Sequence, residues 1–118
     1  MNPERRSAPR LRSYLPVRLR PSGGQLIETL TKDLSLGGFR CVVPSPLPVG
    51  SQVALELALP RGRDVLEMRG RTAWFRLLQD GEQYDLGVSF EEIPDETKRR
   101  LSSYIEQLAT PSLVSRPQ

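Results

Sequence analysis

The sequence predicts a mainly β domain: a six-stranded antiparallel β-barrel with a C-terminal α-helix and a flexible N-terminal arm. Three observations carry that prediction. Short runs of alternating apolar residues recur at intervals of roughly 8–12 residues. Turn-forming residues separate them, eleven prolines and nine glycines in 118 residues. After Pro94 the apolar spacing changes from that of a strand to that of a helix. The length suits one domain with one modest core.

The elements follow in order. Residues 1–12 show no apolar periodicity and are assigned to the arm, which at about 3.3–3.6 Å per residue is long enough to fold back over a small domain. From Ser13 to Arg20, Leu15, Val17 and Leu19 alternate with Tyr14, Pro16, Arg18 and Arg20. Pro16 suggests an edge strand, because proline donates nothing to a ladder. Pro21-Ser22-Gly23-Gly24 turns the chain into a second strand, Gln25 to Lys32, and a third runs from Gly38 to Val43. The proline-rich stretch from Pro44 to Gly50 is a loop. Strand four is Gln52 to Leu59, strand five Val65 to Leu77 and strand six Tyr84 to Phe90, with turns at Pro60–Asp64 and Gln79–Glu82. Pro94-Asp95-Glu96 opens the helix, and Leu101, Tyr104, Ile105 and Leu108 form its buried stripe. Thr110-Pro111 stops it. The domain is thus 13–110, and 111–118 reads as a disordered tail.

Composition excludes several function classes. There is no histidine, so Ser–His and Cys–His nucleophiles, histidine acid–base chemistry and the commonest metal ligand are ruled out. The single cysteine, Cys41, excludes an internal disulfide and a thiolate zinc site. It fits a reducing cytoplasm and reads as a small buried residue. No convincing carboxylate pair is visible, so the expectation is a protein that is not an enzyme, with no metal and no cofactor. No apolar run spans a bilayer or forms a signal core, so a cytoplasmic protein without membrane insertion is expected.

The charge is asymmetric. Residues 1–20 carry six arginines against Glu4, a net of +5, while residues 21–118 carry eleven basic and thirteen acidic side chains, a net of −2. Two stretches stand out. Arg5-Arg6-Ser7-Ala8-Pro9-Arg10 places arginines on the arm. Asp33-Leu34-Ser35-Leu36-Gly37-Gly38 is a small acidic loop between two strand-like runs. Arginine forks bidentately onto phosphate or a guanine edge and stacks on flat rings. Taken singly, the first stretch is also a solvated basic tail. The second is also a plain turn, in which Asp33 and Ser35 bond nearby amides and the glycines take positive φ.

Together, in this order, the two stretches resemble the motifs of the PilZ family, the bacterial receptor domain for cyclic di-GMP. Its Arg-x-x-x-Arg motif is matched by Arg6 to Arg10, and its Asp/Asn-x-Ser-x-x-Gly motif by Asp33 to Gly38. Gly70-Arg71-Thr72-Ala73-Trp74 and Tyr84-Asp85-Leu86-Gly87-Val88-Ser89-Phe90 are similar to the family's later strands, and the resemblance covers residues 4–109. It implies a PilZ-type split barrel and a cyclic di-GMP receptor that changes conformation on binding and signals to a protein partner. That partner would be a motor, a pilus, a polysaccharide synthase or a regulator. The implied ligand residues are Arg5, Arg6, Arg10, Asp33, Ser35, Gly37 and Gly38. Arg6 and Arg10 would clamp the ligand, with Arg5 as a third contact. Asp33 would accept from guanine N1–H and N2–H, Ser35 would donate or accept, and the glycines would admit the ligand close to the backbone.

Two other readings remain at this level. One is an adapter of the same fold that acts by protein contact alone. The other is a nucleic-acid-binding barrel, suggested by a pI near 9.5 but disfavoured by the acidic body and few aromatics. Trp74 reads as barrel packing, and Arg69, Arg71 and Arg76 as a solvated strand face.

Overall fold

In the strand from Gln52 to Ala58, Val53, Leu55 and Leu57 are buried while Gln52 and Ala54 are exposed, so one face looks into a core. The same rule holds from Pro16 to Pro21, where Val17 and Leu19 are buried and Arg18 and Arg20 face water. Strands with one apolar face must wrap around a shared interior or stack. Here they wrap. The computed structural model describes residues 10–60 and 64–109. It contains β1 (Leu11–Arg12), β2 (Pro16–Pro21), β3 (Ile27–Ser35), β4 (Gly38–Val43), β5 (Gln52–Ala58), β6 (Val65–Leu77), β7 (Tyr84–Glu92) and α1 (Asp95–Ala109).

Six antiparallel strands close a barrel in the order β3-β2-β5-β6-β7-β4 and back to β3, with β1 as an additional short strand on β3. The interior is filled by Leu19, Leu34, Phe39, Val43, Leu55, Leu57, Leu66 and Leu86, among others. Leu101 and Ile105 of α1 join this core, and Tyr104 packs against it. Asp95 and Glu96 sit in the first turn of α1, where the unpaired amides favour negative charge. No described helix is long and apolar enough to cross a membrane.

Several boundaries differ from those expected from the sequence, each for a local reason. Leu11 and Arg12, assigned above to the arm, pair with Leu34 and Asp33 as β1. Between β1 and β2 the chain leaves the ladder at Thr31. Its hydroxyl donates to the Ser13 carbonyl and accepts from the Leu15 amide at 2.9 Å, filling the gap. Pro16 is not on an edge strand, since β2 lies between β3 and β5. It is tolerated as the first residue of β2, one position before the β5 ladder begins at Val17. Strand β3 extends to Ser35, so Asp33 and Ser35 lie in a strand rather than a loop. Residues 1–9, with Arg5 and Arg6, lie outside the described residues, as do the helix stop at Thr110-Pro111 and the tail.

Cys41 on β4 is fully buried, and its thiol is pushed up to about 12, first by burial and then by the nearby Asp85 carboxylate, with Arg40 opposing. The native thiol is therefore neutral and enclosed. We expect iodoacetamide to label the native chain on the order of a thousandfold more slowly than the denatured chain, because access requires opening the barrel. Intact-mass kinetics check this, and labelling within minutes under native conditions would contradict it.

Candidate functional site

The hairpin between β3 and β4 pairs Ser35 with Gly38, leaving Leu36 and Gly37 as the turn. Ser35 is buried; its Oγ accepts from the Gly37 amide at 3.1 Å and lies 3.4 Å from the Gly38 carbonyl. The serine thus closes the turn. Neither glycine uses a positive φ: among the described residues that falls at Gly23, Gly50 and Gly81. Gly38 is required for a different reason. A Cβ there would collide with the Val88 carbonyl oxygen of β7, so the missing side chain lets β4 lie against β7. A Cβ on Gly37 would meet only Ser35 Oγ at 3.8 Å.

Asp33 is not bonded to the turn at all. Its Oδ1 accepts from Arg10 Nη1 at 2.6 Å and its Oδ2 from Arg40 Nε at 3.0 Å. Arg40 stands directly across the hairpin from Asp33 and reaches the other way too, with Nη1 3.0 Å from Asp85 Oδ1 on β7. Asp85 Oδ2 accepts from Arg76 Nη2 at 2.8 Å, on the neighbouring strand β6. The result is a ladder of alternating charge, Arg10–Asp33–Arg40–Asp85–Arg76, across the outer wall of the barrel. It holds three arginines and two aspartates, leaving one positive charge in excess.

Asp85 anchors the ladder, with only 2% of its side chain exposed. Burial pushes its carboxyl up, but the hydrogen bonds and charges of Arg76 and Arg40 more than offset that and hold it below the usual range. Arg40 is raised, foremost by its hydrogen bond to Asp33, against the cost of desolvation. Beside the ladder, Trp74 lies over Gly87, where any Cβ would strike the indole ring. Gly87 also pairs with Arg40, so the indole, the glycine and the ladder form one continuous surface.

The structure therefore brings together Arg10, Asp33, Ser35, Gly37 and Gly38 at one hairpin, while Arg5 and Arg6 fall outside the described residues. Trp74 is on the outer wall and not in the core: the irregularity between Thr72 and Trp74 turns its side chain outward. Arg71, read as solvated, pairs with Glu91 at 2.6 Å. Arg76, read the same way, is part of the ladder. Arg40 and Asp85 were missed altogether. The only signal for Arg40 was its place three residues after the turn, which sets it opposite Asp33 in a tight hairpin.

Two outcomes follow. Gly38→Ala should destabilise the fold by about 3 kcal/mol through overpacking at β7, while Gly37→Ala should change stability by less than about 1 kcal/mol. Urea unfolding compares them. Asp85→Asn should cost about 1–2 kcal/mol at neutral pH, because Arg76 loses its carboxylate partner and Arg40 keeps only Asp33. Asp85 has a depressed folded pKa, so its contribution is present above the unfolded value, about 3.9, and lost as pH falls through the folded one. The stability gap between wild type and variant should shrink as unfolding is measured from neutral pH down to about pH 2.

A family model described as the PilZ domain matches residues 4–107. No curated protein matches the chain. Among solved structures, the chain is similar to the Bacillus subtilis inhibitor of motility (MotI/DgrA), with a TM-score of 0.75 and 21% identity over 91% of this chain and 53% of that one. It is similar to the PilZ domain of YcgR from Escherichia coli with c-di-GMP, with a TM-score of 0.69 and 18% identity over 89% of this chain and 92% of that one. The K. pneumonia MrkH–c-di-GMP complex gives a TM-score of 0.72 and 19% identity over 88% of this chain and 52% of that one. The chain thus spans about half the length of MotI/DgrA and of MrkH, and at these identities the likeness is one of fold. The family model covers most of the sequence and both motif stretches: the chain belongs to the PilZ domain family.

Proposed function

We propose that the chain is a receptor for cyclic di-GMP that binds through Arg5, Arg6, Arg10, Asp33, Ser35, Gly37 and Gly38. The observation that carries the reading is the Arg10–Asp33 contact, 2.6 Å across 23 residues of sequence, which joins the arginine motif to the hairpin motif. Solved structures of two proteins with similar folds contain c-di-GMP. The ligand offers two phosphates, guanine O6 and N7 acceptors, N1–H and N2–H donors and flat purine faces. Arginine forks suit the first two, and a carboxylate suits the donors.

Both Asp33 oxygens are taken by arginines, Oδ1 by Arg10 and Oδ2 by Arg40. A guanine donating to Asp33 must share or displace Arg10, which frees that guanidinium for the guanine edge or a phosphate. Arg40 is tied on its far side to Asp85 and stays. Binding therefore exchanges one intramolecular contact for several to the ligand and draws Arg5 and Arg6 onto it. The rearranged N-terminal segment is then the surface that a protein target reads.

Calorimetry with cyclic di-GMP tests this. Wild type should bind at micromolar concentrations, and Arg6→Ala and Arg10→Ala should each weaken binding by about tenfold or more, the value of one good bidentate arginine contact. Arg99→Ala, remote on α1, should bind as wild type. No heat at micromolar ligand, or equal affinity for the arginine variants, would sink the reading.

A further inference from the structure

Strand β6 is thirteen residues long, but β5 covers it only from Val65 to Arg71. Thr72 adds two backbone bonds, to Ser51 and from Gly50. From Ala73 to Leu77, β6 pairs with β7 on one side, and among the described residues no strand pairs with its other side. The end of β6 thus leaves an edge of the sheet open, four to five residues long. Phe75 is 41% and Leu77 52% exposed on it. Exposed edges are usually blunted by lysine, proline or a free charge. Here there is no lysine or proline, and the one charge, Arg76, is held by Asp85.

We infer that this edge pairs with the same edge of a second copy of the chain about a twofold axis. Strands related by such an axis through the pair run antiparallel, and opposite residues then point to the same face. The side chains choose the register. Centred on Arg76, the pairing sets two arginines face to face, which is unfavourable. Centred on Trp74, it needs Thr72 of the second copy, whose amide and carbonyl are already bonded to Ser51 and Gly50. Centred on Phe75, it sets Phe75 against Phe75, the large Leu77 against the small Ala73, and the Arg76 cation against the Trp74 ring. The edge is self-complementary in size and charge only in that register. Five residues a side make an interface below standard size, so the dimer is weak and concentration-dependent.

Sedimentation of the full chain tests the association. The mass should move from 13.3 kDa toward twice that value between micromolar and millimolar concentration, and Phe75→Lys should remain a monomer throughout. The register is read by cysteines. Opposite residues have Cβ atoms about 4.5–5.5 Å apart, near disulfide range, so Phe75→Cys should cross-link under mild oxidation at least about tenfold faster than Leu77→Cys. The natural Cys41 is buried and does not compete. A wild type that stays monomeric to millimolar concentration overturns the proposal. So does a Phe75→Lys chain that dimerises like wild type, or a Leu77→Cys chain that cross-links as fast as Phe75→Cys.

Discussion

The barrel depends on β4 being held on both sides. It pairs with β3 through a two-residue turn and with β7 along its whole length, and without it the sheet would remain open. Three consecutive features of this strand serve that closure. Gly38 has no side chain where the β7 backbone comes too near for one, Phe39 and Cys41 fill the interior, and Arg40 bonds a carboxylate on each neighbouring strand. The charge ladder on the outer wall is hung from the seam that closes the barrel.

The ladder shows how a small barrel keeps a cationic surface organised. Isolated arginines on a strand face would be solvated and variable in position, and exposed ion pairs contribute little to stability. Burying Asp85 changes that, because a desolvated carboxylate demands well-placed donors. Arg40 and Arg76 supply them and are fixed in return, and Arg40 then fixes Asp33. One buried acid therefore orients three neighbouring polar groups. The hairpin motif and the strand β7 segment act as parts of one surface, although they lie about fifty residues apart in sequence.

Much of the fold was legible because it follows from alternation. Val53, Leu55 and Leu57, or Leu101 and Ile105, announce their period without reference to any neighbour. The bounds expected for β4 and β6 match those observed. What could not be read depends on which strands become neighbours. Pro16 looks like an edge residue until β5 is seen to begin its ladder one position later. Asp85 looks like an ordinary outward residue, since nothing in Tyr84-Asp85-Leu86 says that arginines from β4 and β6 will cover it. Trp74 keeps the alternation of its strand on paper, and only the irregularity beside Thr72 turns it outward. The two motif stretches were legible as local patterns, whereas the direct contact between Arg10 and Asp33 is a product of β1 pairing with β3.

The position of the β4–β7 seam has a consequence for the order in which the molecule assembles. The β3–β4 hairpin is local and can form early, but Gly38 meets Ser89 only after the intervening strands β5 and β6 have been laid down. Closing so long a loop is entropically costly, and sheets dominated by such pairings fold slowly. The Arg40–Asp85 pair spans that seam, so the outer-wall ladder is complete only when the seam has formed. The hairpin motif can close on its own, but the chain has its organised cationic face only with the barrel shut.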